Sequence, residues 1–394
     1  MNESTYCTLE SVRSDMPEIV QIRQSIHRHP ELAYEEQETA ALVADRLRAW
    51  GFEVVTGVGG TGVVGSLHAG TGTKSIGVRA DMDALPIQEQ TGKPYASEYP
   101  GKMHACGHDG HTAMLLGAAK YLGRTRNFNG TLRLYFQPAE EAGYDSGAQR
   151  MIEDGLFQRF PCDAVFGMHN HPGRPQGEFL LRKGAFMSAA DKVTINVRGI
   201  GGHGARPHLA VDPIVVAASI VLILQTVVSR NVDPTQTAVV TVGTLHAGVA
   251  YNVIPEFAKL ELTVRSFNPQ VRQLLRHRIE ELVQKQAESF GASVEIDYQL
   301  GYPVLVNSDA ETSFAAEVAR ELVGGAQVND AFDLVPASED FAFMLQQRPG
   351  CFLRLGNGVG EGGCAVHNPG YDFNDENVPV GAAFWARLVE RYLT

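Results

Sequence analysis

The stretch His104-Ala105-Cys106-Gly107-His108-Asp109-Gly110-His111 places three imidazoles, a thiol and a carboxylate within eight residues. Cys and His are the side chains that proteins use most often to hold zinc-like ions. The two glycines allow the backbone to bend, so that neighbouring side chains can point into one space. We therefore expect this stretch to supply part of a metal site, with a chance cluster of histidines on a loop as the alternative.

The composition limits the classes of partner. A chain of 394 residues is longer than one hydrophobic core usually reaches, so two domains are expected. Its 44% hydrophobic and 20% charged residues are typical of a globular protein. The formal charge of -12 argues against a broad surface for nucleic acid or anionic membrane, because such surfaces need clustered cations.

The cysteines and the first residues indicate a cellular location. Five scattered cysteines favour a reducing compartment without a disulfide framework. The first 20 residues are acidic and lack an apolar signal segment. We also expect no apolar run as long as a membrane span. These features predict a cytoplasmic protein.

The pattern of the first half predicts an α/β fold. Short Val- and Ile-rich segments alternate with helical periodicity, and this order favours a mixed, largely parallel sheet flanked by helices. The predicted elements include a helix at about Thr112–Leu122, a strand at Thr131–Gln137 and a strand at Ala164–Met168.

The pattern changes after about residue 182. Residues 186–300 follow the order β-α-β-β-α-β, which fits a small ferredoxin-like module. We therefore predict a discontinuous catalytic domain, residues 1–185 and 301–394, with an inserted lid at residues 186–300. A helix at Val380–Tyr392 closes the predicted catalytic domain.

Acids and histidines follow three of the predicted strands. In open α/β sheets, ligands bind beyond the carboxyl ends of the strands. The residues at these ends are Asp81 and Asp83, Glu140 and Glu141, and His169. We expect these side chains to share one edge of the sheet.

Five side chains are candidate metal ligands. They are Cys106, His108, Glu141, His169 and His367. Five donors suit two ions better than one, because a catalytic ion takes about three protein ligands and keeps a position for water. Two divalent ions with only two anionic donors keep a net positive charge, which lowers the pKa of a bound water as hydrolysis requires. Taken singly, each of these residues could instead be structural.

The pair Glu140-Glu141 requires a division of roles. One carboxylate would bind metal, while the other would act as general base and pass the proton to the leaving amine. Spacing alone leaves open which residue does which.

Several motifs closely resemble those of the dinuclear metallo-amidohydrolases. This group includes hippurate hydrolases, N-acyl-amino-acid amidohydrolases and plant indole-acetyl-amino-acid hydrolases, and it is related to the aminoacylase and carboxypeptidase family. The matching stretches are His27–Leu32, Arg79–Pro86, His104–Asp109, Gln137–Glu141, Gly201–Ala205, Ser338–Phe341 and His367-Asn368. The likeness runs from about residue 20 to the end of the chain.

The resemblance implies roles for these positions. It makes Glu140 the general base and Cys106, His108, Glu141, His169 and His367 the ligands of two divalent ions. Cys106 places the chain in the hippurate-hydrolase branch, and zinc, manganese, nickel or cobalt are the candidate metals. The resemblance also implies two domains and a homodimer formed through the lid.

Asp81 and Asp83 look like residues that orient a metal ligand, with a strand-end turn as the alternative. In the lid, His203 on its glycine-rich bend is a candidate for stabilising the oxyanion, with a surface turn as the alternative. Asn252 and Arg265 resemble the residues that bind the substrate carboxylate, although Arg265 could instead form a salt bridge within its strand.

For three further motifs, one possible function is set aside. Ser338-Glu339-Asp340 is read as a helix start before Phe341, rather than as part of the pocket. Gly358–Gly363 matches the dinucleotide-binding spacing, but Asn368-Pro369-Gly370 follows where the phosphate-binding helix should start, so the segment is read as a mobile loop that delivers His367. Cys106 is expected to be a ligand and not a nucleophile, because a metal-bound thiolate is not free to attack.

The predicted function is therefore metal-dependent hydrolysis of N-acyl amino acids, which are small-molecule substrates. A dipeptidase or carboxypeptidase with the same chemistry is the first alternative. A non-catalytic metal-binding protein of the same fold is the second.

Overall fold

The helices and strands follow the alternation in the sequence. The computed structural model describes residues 6–360 and 362–394. Its helices are α1 (Leu9–Val12), α2 (Met16–Arg28), α3 (Gln37–Ala49), α4 (His108–Thr125), α5 (Gly147–Glu153), α6 (Leu156–Arg159), α7 (Pro213–Asn231), α8 (Pro269–Ser289), α9 (Asp309–Val323), α10 (Phe341–Leu345) and α11 (Asn377–Tyr392). Its strands are β1 (Glu53–Val58), β2 (Gly62–Ala69), β3 (Ser75–Asp81), β4 (Gly130–Gln137), β5 (Ala164–Pro172), β6 (Phe179–Leu180), β7 (Gly184–Met187), β8 (Ala189–Arg198), β9 (Gly202–His203), β10 (Ala238–Ala247), β11 (Val253–Ile254), β12 (Phe257–Ser266), β13 (Ser293–Leu300), β14 (Leu305–Asn307), β15 (Val328–Asn329) and β16 (Gly350–Gly358).

Contacts between residues divide the chain into two units. The first unit contains the chain up to Gly184, together with Val306–Asp333 and Asp340–Thr394. The second unit contains Ala185–Leu305 and the short segment Leu334–Glu339.

The first unit contains an eight-stranded sheet in the order β1-β2-β4-β3-β5-β16-β6-β15. Strands β4, β3, β5 and β16 run parallel to one another. The β1–β2, β2–β4 and β16–β6 pairs are antiparallel. The prediction of a mixed, largely parallel sheet flanked by helices is confirmed. Because the central strands are parallel, their carboxyl ends lie at one edge of the sheet.

Helix α4 packs against α2 and α11 in the core of the first unit. Its Leu115 and Leu116 are buried with Phe384 and Trp385 of α11. Burial of each such side chain contributes about 1.5–3 kcal/mol. These contacts fix the position of α4. The first turn of α4 contains polar residues and lies at the carboxyl edge of the sheet.

The start of α4 differs from the prediction. The helix begins at His108 and not at about Thr112. Gly107 adopts a left-handed conformation (φ 94°), which lets the chain turn from the loop directly into the helix. His108, Asp109 and His111 therefore lie in a helical turn, where their directions are fixed.

The second unit has the predicted β-α-β-β-α-β order. Its antiparallel sheet has the strand order β10-β12-β8-β13. Helices α7 and α8 bury one apolar face each in the unit's core, which contains Val216, Ile220, Leu275 and Ile279. This arrangement matches a ferredoxin-like module.

Helix α7 corrects one expectation. By its length of 19 residues and its apolar composition alone, α7 could cross a membrane. The sequence was expected to contain no apolar run of this length. Helices that pack in a protein core can have the same length and composition, and α7 packs on β10 and β12. It is the one helix of this kind among the described residues, and by itself it is weak evidence for a membrane protein.

Candidate metal centre

The polar residues at the strand ends meet at one edge of the first unit's sheet. Asp81 is the last residue of β3, and Glu140 lies in a short 3₁₀ turn just after β4. His169 lies near the carboxyl end of β5, and His108 is the first residue of α4. Adjacent parallel strands therefore deliver these side chains to one place.

The structure brings all five predicted ligands together. The donor atoms of Cys106, His108 and His169 lie within 4.8 Å of one another, and so do those of Cys106, Glu141 and His367. The Cys106 Sγ is 3.3 Å from Nε2 of His169, and Nε2 of His367 is 3.0 Å from Oε1 of Glu141. Two sets of three donors that share one thiol suit two neighbouring ions.

His108 shows that the site fits a metal ion. Its Nδ1 is 3.1 Å from Oδ1 of Asp83, which holds the ring in place. Its Nε2 is buried and has no hydrogen-bond partner among the described residues. A carboxylate oxygen of Asp81, Oδ2, lies 3.8 Å from this Nε2. An imidazole held by a carboxylate on one nitrogen, with no hydrogen bond to the other nitrogen in a cluster of donors, is the arrangement of a metal-binding histidine.

The electrostatics of Cys106 also fit a metal ion. Burial raises the pKa of the Cys106 thiol well above its usual range, and the carboxylates of Glu141 and Glu140 raise it further. A thiolate at this position therefore needs a compensating positive charge. A coordinated divalent ion supplies such a charge.

The turn after β4 separates the two glutamates. Ala139 has a left-handed conformation (φ 49°), and the 3₁₀ turn Glu140–Ala142 follows it. The Glu141 N–H donates to Oδ2 of Asp83 at 2.9 Å, while the Glu141 carboxylate faces His367. A carboxylate oxygen of Glu140 lies within 4.8 Å of donor atoms of His108 and Glu141. Both glutamates thus lie near His108, but only the Glu141 carboxylate also lies near Cys106 and His367.

The two aspartates at the β3 end bind different groups. Asp83 binds the His108 imidazole and the Glu141 backbone. Asp81 accepts from Nδ1 of His111 at 2.6 Å and from Nη1 of Arg79 at 2.6 Å. Asp83 therefore contacts two predicted ligands directly, while the hydrogen bonds of Asp81 lead to His111.

Sequence reasoning missed the residues that connect these groups. His111 Nε2 accepts from the backbone N–H of Asn170 at 2.9 Å. The buried Glu36 accepts from the Ala139 N–H at 2.8 Å, just before the two glutamates. Asn170 follows a predicted ligand at a strand end, which was an available signal. Glu36 is more than 100 residues away from Ala139, and nothing in the sequence links the two.

His203, Asn252 and Arg265 all lie in the second unit. His203 pairs with Val253 in a two-stranded ribbon, and the Gly204 N–H donates to the Asn252 carbonyl at 2.9 Å. The exposed His203 accepts the Ala205 N–H on its Nδ1 at 3.0 Å, so a neutral ring carries its proton on Nε2. Arg265, on β12, donates to Oγ of Ser338 at 3.1 Å.

The predicted helix start at Ser338–Asp340 is confirmed, since α10 begins at Phe341. Asp340 does not cap this helix with its side chain. Its carboxylate instead accepts from Arg79, Gln137 and the Ala148 N–H, all within 3.0 Å.

Known proteins resemble this chain over most of its length. The sequence model that describes peptidase family M20/M25/M40 matches residues 77–391 of this chain. Hippurate hydrolase from Campylobacter jejuni is 46% identical, over 95% of this chain and 97% of that protein. N-acetyl-L-cysteine deacetylase from Bacillus subtilis is 39% identical, over 95% of this chain and 88% of that protein.

A solved structure is also similar. The crystal structure of a dinuclear metal-binding peptidase of family M20 from Bacillus subtilis superposes with a TM-score of 0.84 at 33% identity, covering 97% of this chain and 99% of that one. The likeness covers nearly the whole of both chains. The chain belongs to peptidase family M20/M25/M40.

Proposed function

We propose that the protein hydrolyses the amide bond of N-acyl amino acids, of the hippurate or N-acetyl type, to a carboxylic acid and a free amino acid. As a member of its family, the chain is a metal-dependent hydrolase. The observation that carries the proposal is the cluster of five donors with the Glu140 carboxylate beside it. The names of the hippurate hydrolase and deacetylase relatives support this class of substrate.

Cys106, His108, Glu141, His169 and His367 are the residues that would hold two divalent ions. Bound ions polarise the amide carbonyl and make a water molecule more acidic. The Cys106 thiolate favours zinc, whereas the histidines and Glu141 also suit manganese, nickel or cobalt.

Glu140 carries the proton transfers in this proposal. It takes a proton from the attacking water and returns it to the amine nitrogen as the amide bond breaks. Its place beside His108 and Glu141, at the start of the 3₁₀ turn whose Glu141 N–H is bound by Asp83, supports this role. Glu141 is assigned to metal binding because its carboxylate faces His367.

Residues of the second unit complete the proposed mechanism. The Nε2–H of His203 would donate to the oxyanion that develops on the carbonyl oxygen. Asn252 and Arg265 would bind the free carboxylate of the substrate, a task for which the planar guanidinium is well suited. The hydrogen bond from the Gly204 N–H to the Asn252 carbonyl keeps His203, which directly precedes Gly204, close to Asn252.

We further propose a homodimer formed through the second unit. Leu222, Val215 and Ile214 of α7 are 72%, 52% and 42% exposed, and Val239 and Leu245 of the edge strand β10 are about as exposed as Ile214. Exposed apolar side chains and a strand at the edge of a sheet, as β10 is among the described residues, are typical of an interface. We also propose a cytoplasmic location, because the five cysteines are free and fit a reducing compartment.

Substitution of Glu140 by Gln tests the proposed chemistry. Loss of a general base typically lowers turnover by about 10²–10⁴-fold. We expect Glu140→Gln to lose hydrolysis of hippurate and N-acetyl amino acids to this extent with its metal content unchanged. The exposed Glu153→Gln is the matched control and should keep full activity. Substantial turnover in Glu140→Gln would exclude the proposed role.

Substrate panels separate the alternatives. Reconstitution with Zn, Mn, Co or Ni, followed by assays of N-acyl amino acids and dipeptides, measures the preference directly. Faster hydrolysis of dipeptides would favour the dipeptidase or carboxypeptidase alternative. A chain that takes up metal but hydrolyses neither class would favour a non-catalytic binding protein.

A further inference from the structure

Asn170 lies between two of the proposed metal ligands. This residue is fully buried near the end of β5. The side-chain Nδ2 of Asn170 donates to the Cys106 backbone carbonyl at 2.6 Å. The backbone carbonyl of Asn170 accepts from Nδ1 of His169, also at 2.6 Å. One residue therefore holds the backbone that carries the thiol and the ring that faces it.

The orientation of the Asn170 amide is determined by its partners. Nδ2 faces two acceptors, the Cys106 carbonyl and Nε2 of His111, the latter at 3.1 Å. Oδ1 accepts from the hydroxyl of the fully buried Tyr371 at 2.9 Å. A flipped amide would place its oxygen against both acceptors, so this orientation is the one that satisfies every group.

Gly107 provides an independent observation about the same contact. A Cβ at this position would lie 2.3 Å from Nδ2 of Asn170 and 2.4 Å from the Tyr371 hydroxyl oxygen. The backbone between Cys106 and His108 therefore lies directly on the Asn170–Tyr371 pair, with no room for a side chain. The left-handed φ of Gly107 also makes any other residue there strained.

We propose that Asn170 is a positioning residue for the metal centre, which fixes Cys106 and His169 relative to each other, and that the Tyr371 hydroxyl fixes the Asn170 amide. This inference rests on the proposed assignment of Cys106 and His169 as ligands. It extends that assignment to residues that touch neither ion nor substrate. Partners that orient metal ligands typically account for 10- to 100-fold in metal affinity.

The full-length Asn170→Asp variant is the main test, because it keeps the shape and replaces the Nδ2 donor by a carboxyl oxygen, which faces the Cys106 carbonyl. The probe is Co²⁺, titrated in competition with a chelator while the thiolate-to-cobalt absorption is recorded. We expect about 10- to 100-fold weaker binding of one of the two ions and a weaker thiolate band. The readout is independent of catalytic activity.

Asn307→Asp is the matched control. Asn307 is also buried in the first unit, and its Nδ2 donates to the carbonyls of Arg182 and Phe352 at 3.0 and 2.8 Å. This variant should lose thermal stability while its Co²⁺ affinity stays as in the wild type. If Asn170→Asp shows the same pattern, a lower melting temperature with unchanged Co²⁺ affinity and spectrum, Asn170 is merely structural and the proposal is wrong.

Tyr371→Phe keeps the test decisive if Asn170→Asp does not fold. It removes one hydroxyl and leaves the Nδ2 contact, so we expect a smaller loss, about 3- to 10-fold in Co²⁺ affinity. Unchanged Co²⁺ affinity in Tyr371→Phe would show that the hydroxyl does not have the proposed role. If Asn170→Asp also fails to fold, the same result would overturn the whole proposal. Absence of a thiolate band in the wild type has a different meaning, since it would contradict the assignment of Cys106 as a ligand.

Discussion

The imidazole of His108 and the carboxylate of Asp83 form a buried pair, with Nδ1 of His108 3.1 Å from Oδ1 of Asp83. The second oxygen of Asp83 accepts the Glu141 N–H at 2.9 Å. One carboxylate thus joins the start of α4 to the turn after β4. Both groups that it binds belong to proposed metal ligands, so Asp83 sets the distance between them.

Replacement of Asp83 by Asn should weaken metal binding more than it weakens the fold. Asn keeps the shape but cannot accept from both His108 and the Glu141 N–H with charged oxygens, so the imidazole is less firmly held and less basic. We expect about 10- to 100-fold lower affinity for at least one ion, measured by chelator competition. Asp45→Asn, on the exposed face of α3, is the control. Equal affinities in the two variants would contradict the role of Asp83.

Replacement of Cys106 by Ser should change the metal preference. Serine lacks the soft thiolate that favours zinc over manganese. We expect loss of the thiolate-to-cobalt absorption and a fall in the ratio of zinc to manganese affinity. Cys351→Ser, at another buried thiol, should keep both properties, since Cys351 lies outside the donor cluster. Retention of the thiolate band in Cys106→Ser would show that another sulfur binds the ion.

The parts of the site that the sequence predicted are those that depend on strand order. Parallel strands place their carboxyl ends together, so His169 and the glutamates after β4 were expected to meet. His108 was expected there too, but as part of a loop, because the sequence does not show that Gly107 takes a left-handed conformation and lets α4 start four residues early.

The hydrogen bonds around the ligands could not be predicted from the sequence. Periodicity shows which edge or face a residue occupies, but not which atoms meet there. The contacts of Asn170 with Cys106 and of Glu36 with Ala139 join segments 64 and 103 residues apart. Such pairs are decided by tertiary packing and have no local pattern.

Introduction of a charge into the exposed face of α7 should prevent dimer formation. Leu222 is 72% exposed, so Leu222→Asp should leave the second unit folded while opposing burial of this face. We expect a dimer in the wild type and a monomer in Leu222→Asp by sedimentation velocity. Gln284→Asp, at an exposed polar position of α8, tests whether charge alone is responsible and should leave the dimer largely intact. A wild-type monomer, or a dimer that tolerates Leu222→Asp, would exclude this interface.

The buried carboxyl of Glu36 should make the fold more stable at low pH. Burial raises the pKa of Glu36 to about 7, and the charge of Asp83 adds to this, while the hydrogen bond from Thr61 opposes it. Since the pKa in the unfolded chain is about 4.5, the native state holds a proton that the unfolded state has lost between about pH 4.5 and 7. The free energy of unfolding therefore falls as pH rises through this window, and Glu36 accounts for about 3 kcal/mol of the fall.

Glu36→Gln should remove this part of the pH dependence. A glutamine oxygen can still accept the Ala139 N–H, so the turn before Glu140 keeps its hydrogen bond, and the neutral amide no longer titrates. Relative to the wild type, we expect Glu36→Gln to gain about 3 kcal/mol in unfolding free energy between pH 4.5 and 8, from urea denaturation at each pH. Glu38→Gln, at an exposed position in the first turn of α3, should follow the wild type. Identical pH profiles for Glu36→Gln and the wild type would mean that Glu36 is ionised in the folded protein at low pH, and that the Ala139 turn is held by a carboxylate rather than by a protonated acid.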